Sequence, residues 1–160
     1  RMIHINQKLL DVTSVKANHS ERLRMNYNFH KQLSDTLQRM LNAMEPHTYV
    51  QPHKHENPDK REIFVILKGR IVVIEFNDDG RIADHVILDR EAGNYGVEIA
   101  PGKWHSLISL EKGSVVYEVK DGPYHPIDDK NFADWAPKEG GTGCMEFNKN
   151  ILEQLQIPSA

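Results

Sequence analysis

Residues 51–69 read QPHKHENPDKREIFVILKG, and this stretch decides the predicted fold. His53 and His55 are two positions apart, a spacing that puts both imidazoles on one face of a β-strand. Glu62 then begins the apolar run EIFVILK, and Gly69 follows it in a predicted hairpin turn. If the two segments pair as neighbouring strands, the Glu62 carboxylate can meet the two histidines.

A fourth candidate ligand lies far along the chain. His105 follows the turn at Pro101-Gly102 and begins a predicted strand, which would hold its imidazole on rigid backbone. Imidazole and carboxylate groups are suitable ligands for divalent Mn, Fe, Co, Ni, Cu or Zn. With such an ion, an open coordination position could take a carbonyl, an enolate or water. An H-x-H pair alone is weak evidence for a metal site, because a chain with nine histidines often contains such a pair by chance.

The middle of the chain is typical of an all-β fold. After the run EIFVILKGRIVVIEF come HVILD, GVEIA, WHSLISL and SVVYEVK, which are short and separated by Gly, Pro and charged turns. Many short strands without intervening helices predict a sandwich or a barrel.

The chain divides into three segments that we expect to form one structural domain. Residues 1–46 are a polar extension, and residues 122–160 are a tail rich in Pro, Asp and Gly that packs on the strands of residues 47–121. A short helix is expected in the tail at Asn148–Leu155. A second helix is predicted before Pro46, because apolar residues recur there with a period of 3.6. They are Leu33, Leu37, Met40, Leu41 and Met44.

Composition excludes several classes of protein. The 160 residues carry a formal net charge of −3, which disfavours nucleic-acid binding. The single cysteine, Cys144, excludes an internal disulfide and a multi-cysteine zinc site. No apolar run approaches the roughly 20 residues that span a bilayer, and no signal peptide is recognisable, so a cytoplasmic protein without a membrane partner is expected.

The histidine pattern resembles the two motifs of the cupin superfamily. The first motif, H-x-H followed by Glu and Gly, ends at Gly69, and the second is partly matched around Gly96 and Gly102. The chain departs from these motifs at His47, where a Gly is usual, at Ser109, where an Asn is usual, and in the longer spacing before the glutamate. All four ligand positions are nevertheless filled, by His53, His55, Glu62 and His105.

This resemblance implies a mainly β protein, a single jelly-roll cupin β-barrel with the metal inside. The apolar period before Pro46 and the composition of residues 122–160 add an N-terminal α-helix and an irregular C-terminal tail. It also implies one divalent transition-metal ion as cofactor, either Zn, Fe, Mn or Ni. The spacing of the ligands leaves the metal's identity open, because this donor set suits several ions.

A closer resemblance covers almost the whole chain. The sequence resembles the WbuC family of cupin-fold metalloproteins, which occur in bacterial O-antigen biosynthesis clusters. The stretches that carry it are RMNYNFH, LNAMEPHTYVQPHKH, VEIAPGKWHSL and EVKDGPYHPIDDKNFADWAPKEG. The resemblance implies a metal cupin in a surface-polysaccharide context and leaves the reaction open.

Other polar residues are candidates for binding a small molecule in the barrel. Arg24, Asn26, Asn28 and His30 alternate, so they share one face of an extended segment, either as a polar wall of the pocket or as an ordinary edge strand. Tyr124 follows a Gly-Pro turn and could cap the barrel mouth.

Glu118 and Lys120 share one face of the predicted strand SVVYEVK. They are either a buried pair near the metal, with Glu118 as candidate catalytic base and Lys120 as a substrate contact, or an exposed face. Lys60 and Arg61 are interpreted as a solvated turn, and Trp135 as packing the tail onto the barrel.

Three functions fit this pattern. The first is a metal-dependent isomerase or epimerase acting on a small sugar or nucleotide sugar. The second is an Fe(II)-dependent dioxygenase, and the third is a non-catalytic ligand-binding or scaffolding cupin, so whether the chain is an enzyme stays open here. Both faces of the run EIFVILKGRIVVIEF are apolar, so the second face needs a cover, either the predicted Leu33–Met44 helix or a partner subunit, and a homodimer is expected.

Overall fold

The computed structural model describes residues 1–126 and 129–160. No helix in that part of the chain is long and apolar enough to cross a membrane. The protein is mainly β, with a helix near each end. The elements are α1 (Gln7–His19), β1 (Arg24–Asn28), β2 (Leu37–Met44), β3 (His53–Lys54), β4 (Glu62–Lys68), β5 (Ile71–Phe76), β6 (Ile82–Leu88), β7 (Gly96–Ile99), β8 (Trp104–Ser109), β9 (Ser114–Asp121), β10 (Asn131–Phe132) and α2 (Cys144–Gln154).

The strands form two five-stranded antiparallel sheets. The first sheet has the order β1-β2-β9-β4-β7, and the second has the order β10-β3-β8-β5-β6. Apolar side chains of both sheets meet between them, among them Phe64 and Val116 of the first sheet and Val73 and Leu107 of the second. The sheets do not close into a complete barrel, and the arrangement fits the predicted jelly roll.

The hairpin predicted at Lys68-Gly69 is wrong, because β4 and β5 belong to different sheets. Gly69 has a φ of 75°, and a Cβ on it would collide with Ser114 at the start of β9. A glycine is therefore required where the chain crosses from one sheet to the other. The sequence predicts two strands and a turn here, but a local pattern does not tell whether the strands pair.

The helix predicted over Leu33–Met44 is also wrong, because Leu37–Met44 forms β2 between β1 and β9. Met40 and Met44 face the interior between the sheets, whereas Leu41 and Ala43 pack under α1. A strand buried on both faces need not alternate apolar and polar residues, so its apolar positions can imitate helical spacing.

The N-terminal helix lies earlier in the chain, as α1. The Asn6 side chain accepts a hydrogen bond from the Leu9 amide and thereby caps the helix. Leu10 and Ala17 are buried against Leu41 and Val115, so α1 covers the outer face of the first sheet.

Helix α2 covers the outer face of the second sheet. Ile151 and Leu152 pack against Val72 and Ile74 of β5. The short helix predicted in the tail is confirmed, although it begins earlier than expected, at Cys144. Trp135 joins this cluster, as predicted, with its ring centroid 5.1 Å from that of Phe76. The outer face of β5, one part of the apolar face on which the expectation of a homodimer was based, is thus covered by the same chain, whereas Ile63 and Val65 of β4 stay half-buried.

Candidate metal centre

The four predicted ligands lie together in the interior. His53 and His55 come from the end of β3, and His105 on β8 is the cross-strand partner of His53. Glu62 is the first residue of β4, in the opposite sheet. All four side chains are buried, and their ligand atoms lie within 4.8 Å of one another. Glu62 thus meets the histidines across the space between the sheets and not, as the sequence predicted, along a neighbouring strand.

Each imidazole is held by a backbone carbonyl at its Nδ1 atom. Because a carbonyl oxygen can only accept, each Nδ1 must carry the proton and each neutral ring then has its lone pair on Nε2. Such carbonyl contacts fix the tautomer and the ring orientation of metal-binding histidines. The pairs are His53 with Gln51 (2.8 Å), His55 with Asp129 (2.6 Å) and His105 with Lys103 (2.9 Å).

The Nε2 atoms face a carboxylate that cannot satisfy them while they are unprotonated. His105 Nε2 lies 2.8 Å from Glu62 Oε1. His55 Nε2 lies 3.4 Å from the same oxygen and has no hydrogen-bond partner in the described residues. Acceptors this close, in a buried site, need a cation or a proton among them. This donor set therefore fits a divalent metal ion.

The charge states favoured by the surroundings also suit a metal. Burial, reinforced by the nearby His105, lowers the pKa of His53 well below its ordinary value. Burial alone would raise the pKa of Glu62, but hydrogen bonds and charge from His105 and His55, which require protons on their Nε2 atoms, outweigh it and lower that pKa well below its ordinary value. Neutral imidazole and ionised carboxylate are the forms that bind metal ions.

A cavity of about 550 Å³ leads to this cluster and is lined by both His53 and Glu62. Every residue predicted to contact a small molecule also lines it. Its wall includes Arg24, Asn26, Asn28, His30, Lys120 and Tyr124. The polar face of β1 is therefore a wall of the cavity, and β1 is at the same time an edge strand.

Glu118, the predicted catalytic base, is buried and lines the same cavity. The Asn42 side-chain amide donates a hydrogen bond to Glu118 Oε1 over 3.2 Å. Burial, together with the negative charge of Glu62, raises the pKa of Glu118 to about 8. Its surroundings therefore favour the protonated form of this carboxyl.

Arg24 is already engaged by protein groups. Its guanidinium donates to the Tyr49 carbonyl over 2.9 Å and to a carboxylate oxygen of Glu139 over 2.6 Å. Arg22 bonds the same carboxylate over 2.6 Å and 2.9 Å. These contacts attach the C-terminal tail to β1, a structural role that the sequence did not indicate for Arg24.

Two residues of the site were missed by sequence reasoning. Lys60, interpreted as solvated, is only 2% exposed, and its Nζ lies 2.9 Å from Asp129 Oδ1. Lys120 Nζ lies 2.9 Å from the other oxygen of the same carboxylate. Asp129 therefore holds both lysines while its carbonyl orients His55. Neither Asp129 nor Lys60 belongs to a pattern that could have predicted this contact.

Comparison with known families gives one match. A family model described as "Domain of unknown function (DUF6016)" matches residues 5–88. A comparison with curated proteins gives no match.

Several solved structures share the fold at low sequence identity. The capsular polysaccharide assembling protein CapF from Staphylococcus aureus is 21% identical, with a TM-score of 0.55 over 68% of this chain. An L-ribose isomerase from Cellulomonas parahominis is 14% identical, with a TM-score of 0.55, and the match covers 74% of this chain and 72% of the isomerase. A protein from Shewanella oneidensis is 8% identical, with a TM-score of 0.53, over 85% of this chain and 87% of its own length.

These likenesses identify the architecture. The match covers only 29% of the CapF chain, so this chain corresponds to less than a third of that protein. The similar structures show the fold alone, and together with the two antiparallel sheets they confirm the predicted mainly β jelly roll.

Proposed function

The chain belongs to the family described as domain of unknown function DUF6016, and we propose that it is a metal-dependent cupin enzyme. His53, His55, Glu62 and His105 would hold one divalent transition-metal ion. The observation that carries this proposal is the anchoring of all three Nδ1 atoms to carbonyls, which leaves three Nε2 lone pairs free in a buried cluster whose ligand atoms, with a carboxylate oxygen of Glu62, lie within 4.8 Å of one another.

The proposed reaction is an isomerisation or epimerisation. A bound ion would polarise a carbonyl or hydroxyl oxygen of the substrate. Glu118, buried in the cavity wall beside Glu62, would transfer a proton to or from the substrate. Lys120, which lines the same cavity, would contact the substrate.

The proposed substrate is a small sugar or nucleotide sugar used for bacterial surface polysaccharide. The resemblance to the WbuC family supports this context, and the same fold occurs in CapF, described as a capsular polysaccharide assembling protein. We further propose a cytoplasmic protein, a single structural domain made of all three segments, and a homodimer. A light-scattering mass near that of the 18.4 kDa chain would contradict the dimer.

Metal content tests the centre first. Protein purified with Zn, Fe, Mn or Ni should contain about one ion per chain by elemental analysis. His105→Ala should lose that ion, whereas His85→Ala, at an exposed position of β6, should keep it. Equal metal content in the two variants would contradict the proposed centre.

Solvent deuterium uptake by keto-sugars and nucleotide sugars tests the reaction. The metal-loaded protein should catalyse exchange, and Glu118→Gln should slow it by at least about 100-fold without loss of metal. No exchange across a broad panel would contradict the isomerase proposal. Oxygen consumption with Fe(II) would instead indicate a dioxygenase, which the same donor set suits.

A further inference from the structure

The cavity beside the candidate metal centre has a charge opposite to that of the whole chain. The chain carries a net charge of −3. The cavity wall, by contrast, has more basic than acidic side chains. Its basic members are Arg22, Arg24, Lys120 and Lys130, and its acidic members are Glu62, Glu118 and Glu139.

Glu139 does not remove this excess, because both arginines share its single carboxylate. Three lysines share a single carboxylate in a similar way. The Asp129 carboxylate lies 2.9 Å from Lys60 Nζ, 2.9 Å from Lys120 Nζ and 3.8 Å from Lys130 Nζ. The Asp129 carboxylate is therefore shared by three ammonium groups, and two of them, those of Lys120 and Lys130, belong to residues that line the cavity.

The two remaining carboxylates do not pair with these lysines. Glu62 points to the histidines, and Glu118 accepts its hydrogen bond from Asn42. In the described ranges neither carboxylate forms an ion pair with Lys120 or Lys130. A metal ion bound at Glu62 would make the net charge of the cavity more positive. In this respect the inference of an anion site rests on the proposed function.

We propose that Lys120 and Lys130 form an anion subsite that binds a phosphoryl group of the substrate beside the metal centre. Lysine ammonium groups carry three donors each on flexible stems and suit a compact, multiply charged anion such as phosphate. The cavity of about 550 Å³ is within the range of roughly 300–1,000 Å³ that holds small-molecule ligands. The substrate is then a sugar phosphate or nucleotide sugar and not a neutral sugar.

Calorimetric titration of the protein purified with zinc tests this subsite, with inorganic phosphate as the ligand and malonate at equal ionic strength as the carboxylate comparison. Lys130→Gln is the main variant, because its side chain is 37% exposed and its loss should leave the fold intact. Lys112→Gln, at an exposed position, is the matched control. We expect phosphate to bind about tenfold more weakly to Lys130→Gln and Lys120→Gln than to the wild type or the control.

Three results would overturn the subsite: no phosphate binding, unchanged binding in both cavity variants, or tighter binding of malonate than of phosphate. Circular dichroism of each variant separates loss of the subsite from loss of the fold. Metal analysis of the same samples keeps the two proposals apart. Lysine-dependent phosphate binding without metal uptake would refute only the metal centre, and metal uptake without phosphate binding would refute only the subsite.

Discussion

Asp129 contacts a candidate metal ligand through its backbone and two lysines through its side chain. Its backbone carbonyl accepts from His55 Nδ1, and its side chain is 2% exposed between Lys60 and Lys120. Removing one partner from a buried ion pair costs about 3–5 kcal/mol, because the remaining charges are left uncompensated. The carboxylate of Asp129 should therefore be important for stability as well as for the orientation of His55.

Asp129→Asn should lower the free energy of unfolding by about 3–5 kcal/mol and weaken metal binding, because the carbonyl that orients His55 loses its support. Urea unfolding and metal titration measure the two effects. The exposed Asp134→Asn serves as control and should change neither. Adding Lys60→Met to Asp129→Asn should restore part of the stability, since one buried charge is removed. A single variant as stable as the control would contradict this account.

The ligands and their environment differ in how far the sequence predicts them. His53, His55, Glu62 and His105 are predictable, because spacing and residue type identify candidate metal ligands before any fold is known. The contact of Lys60 with Asp129 is not, because it joins positions 69 residues apart that share no pattern.

The turn at Gly69 connects the two sheets. Gly69 and Gly93 both have positive φ, but a Cβ on Gly69 would collide with Ser114, whereas one on Gly93 would meet nothing within 4 Å. The left-handed conformation alone costs roughly 1–2 kcal/mol for a residue with a Cβ. The difference between the two positions therefore isolates the effect of the close approach to β9.

Gly69→Ala should destabilise the protein by about 3 kcal/mol or more, and Gly93→Ala by about 1–2 kcal/mol. Chemical denaturation of both variants measures the difference. Equal losses would show that the chain at Ser114 moves aside without cost.

Helix α2 packs on the outer face of β5 and excludes solvent from it. Leu152 is 6% exposed within this contact, whereas Met145 on the same helix is 61% exposed. Leu152→Ala should cost about 2–5 kcal/mol and Met145→Ala less than about 0.5 kcal/mol, as measured by urea unfolding. Similar small losses in both variants would mean that the helix contributes little to stability.

Strands are easier to predict in this chain than their partners. The runs that form β4 to β9 are apparent as short β-rich segments between turn residues, and all of them are strands. The helical period in β2 is misleading, because a helix on one face and a cavity on the other allow apolar side chains on both. The placement of β4 and β5 in different sheets depends on contacts with strands that are distant in the sequence. No local sequence pattern indicates it.

At the scale of the whole molecule, the C-terminal tail is attached to β1 by one carboxylate. Hydrogen bonds from Arg22 and then Arg24, opposed by burial, lower the pKa of Glu139 to about 2 from 4.5. A carboxyl with a lowered pKa in the folded state stabilises the fold above its unfolded pKa, and this stabilisation is lost as the pH falls toward the folded pKa. The relevant window is therefore about pH 4.5 down to about pH 2.

Glu139→Gln should lower stability at pH 7 by about 1–2 kcal/mol, a value discounted because the side chain is 34% exposed. The difference from the wild type should shrink as the pH falls through this window. Thermal unfolding measured from pH 7 to pH 2 tests this, with the exposed Glu153→Gln as control. A difference that stays constant with pH would contradict the assignment to this carboxylate.

The division of the ligands between the sheets also constrains the order of assembly. Glu62 belongs to one sheet and the histidines to the other, so a complete coordination sphere exists only after the sheets have docked. Binding of the proposed ion to all four ligands would then follow the docking of the sheets. An ion held by these four residues would therefore cross-link the two halves of the sandwich.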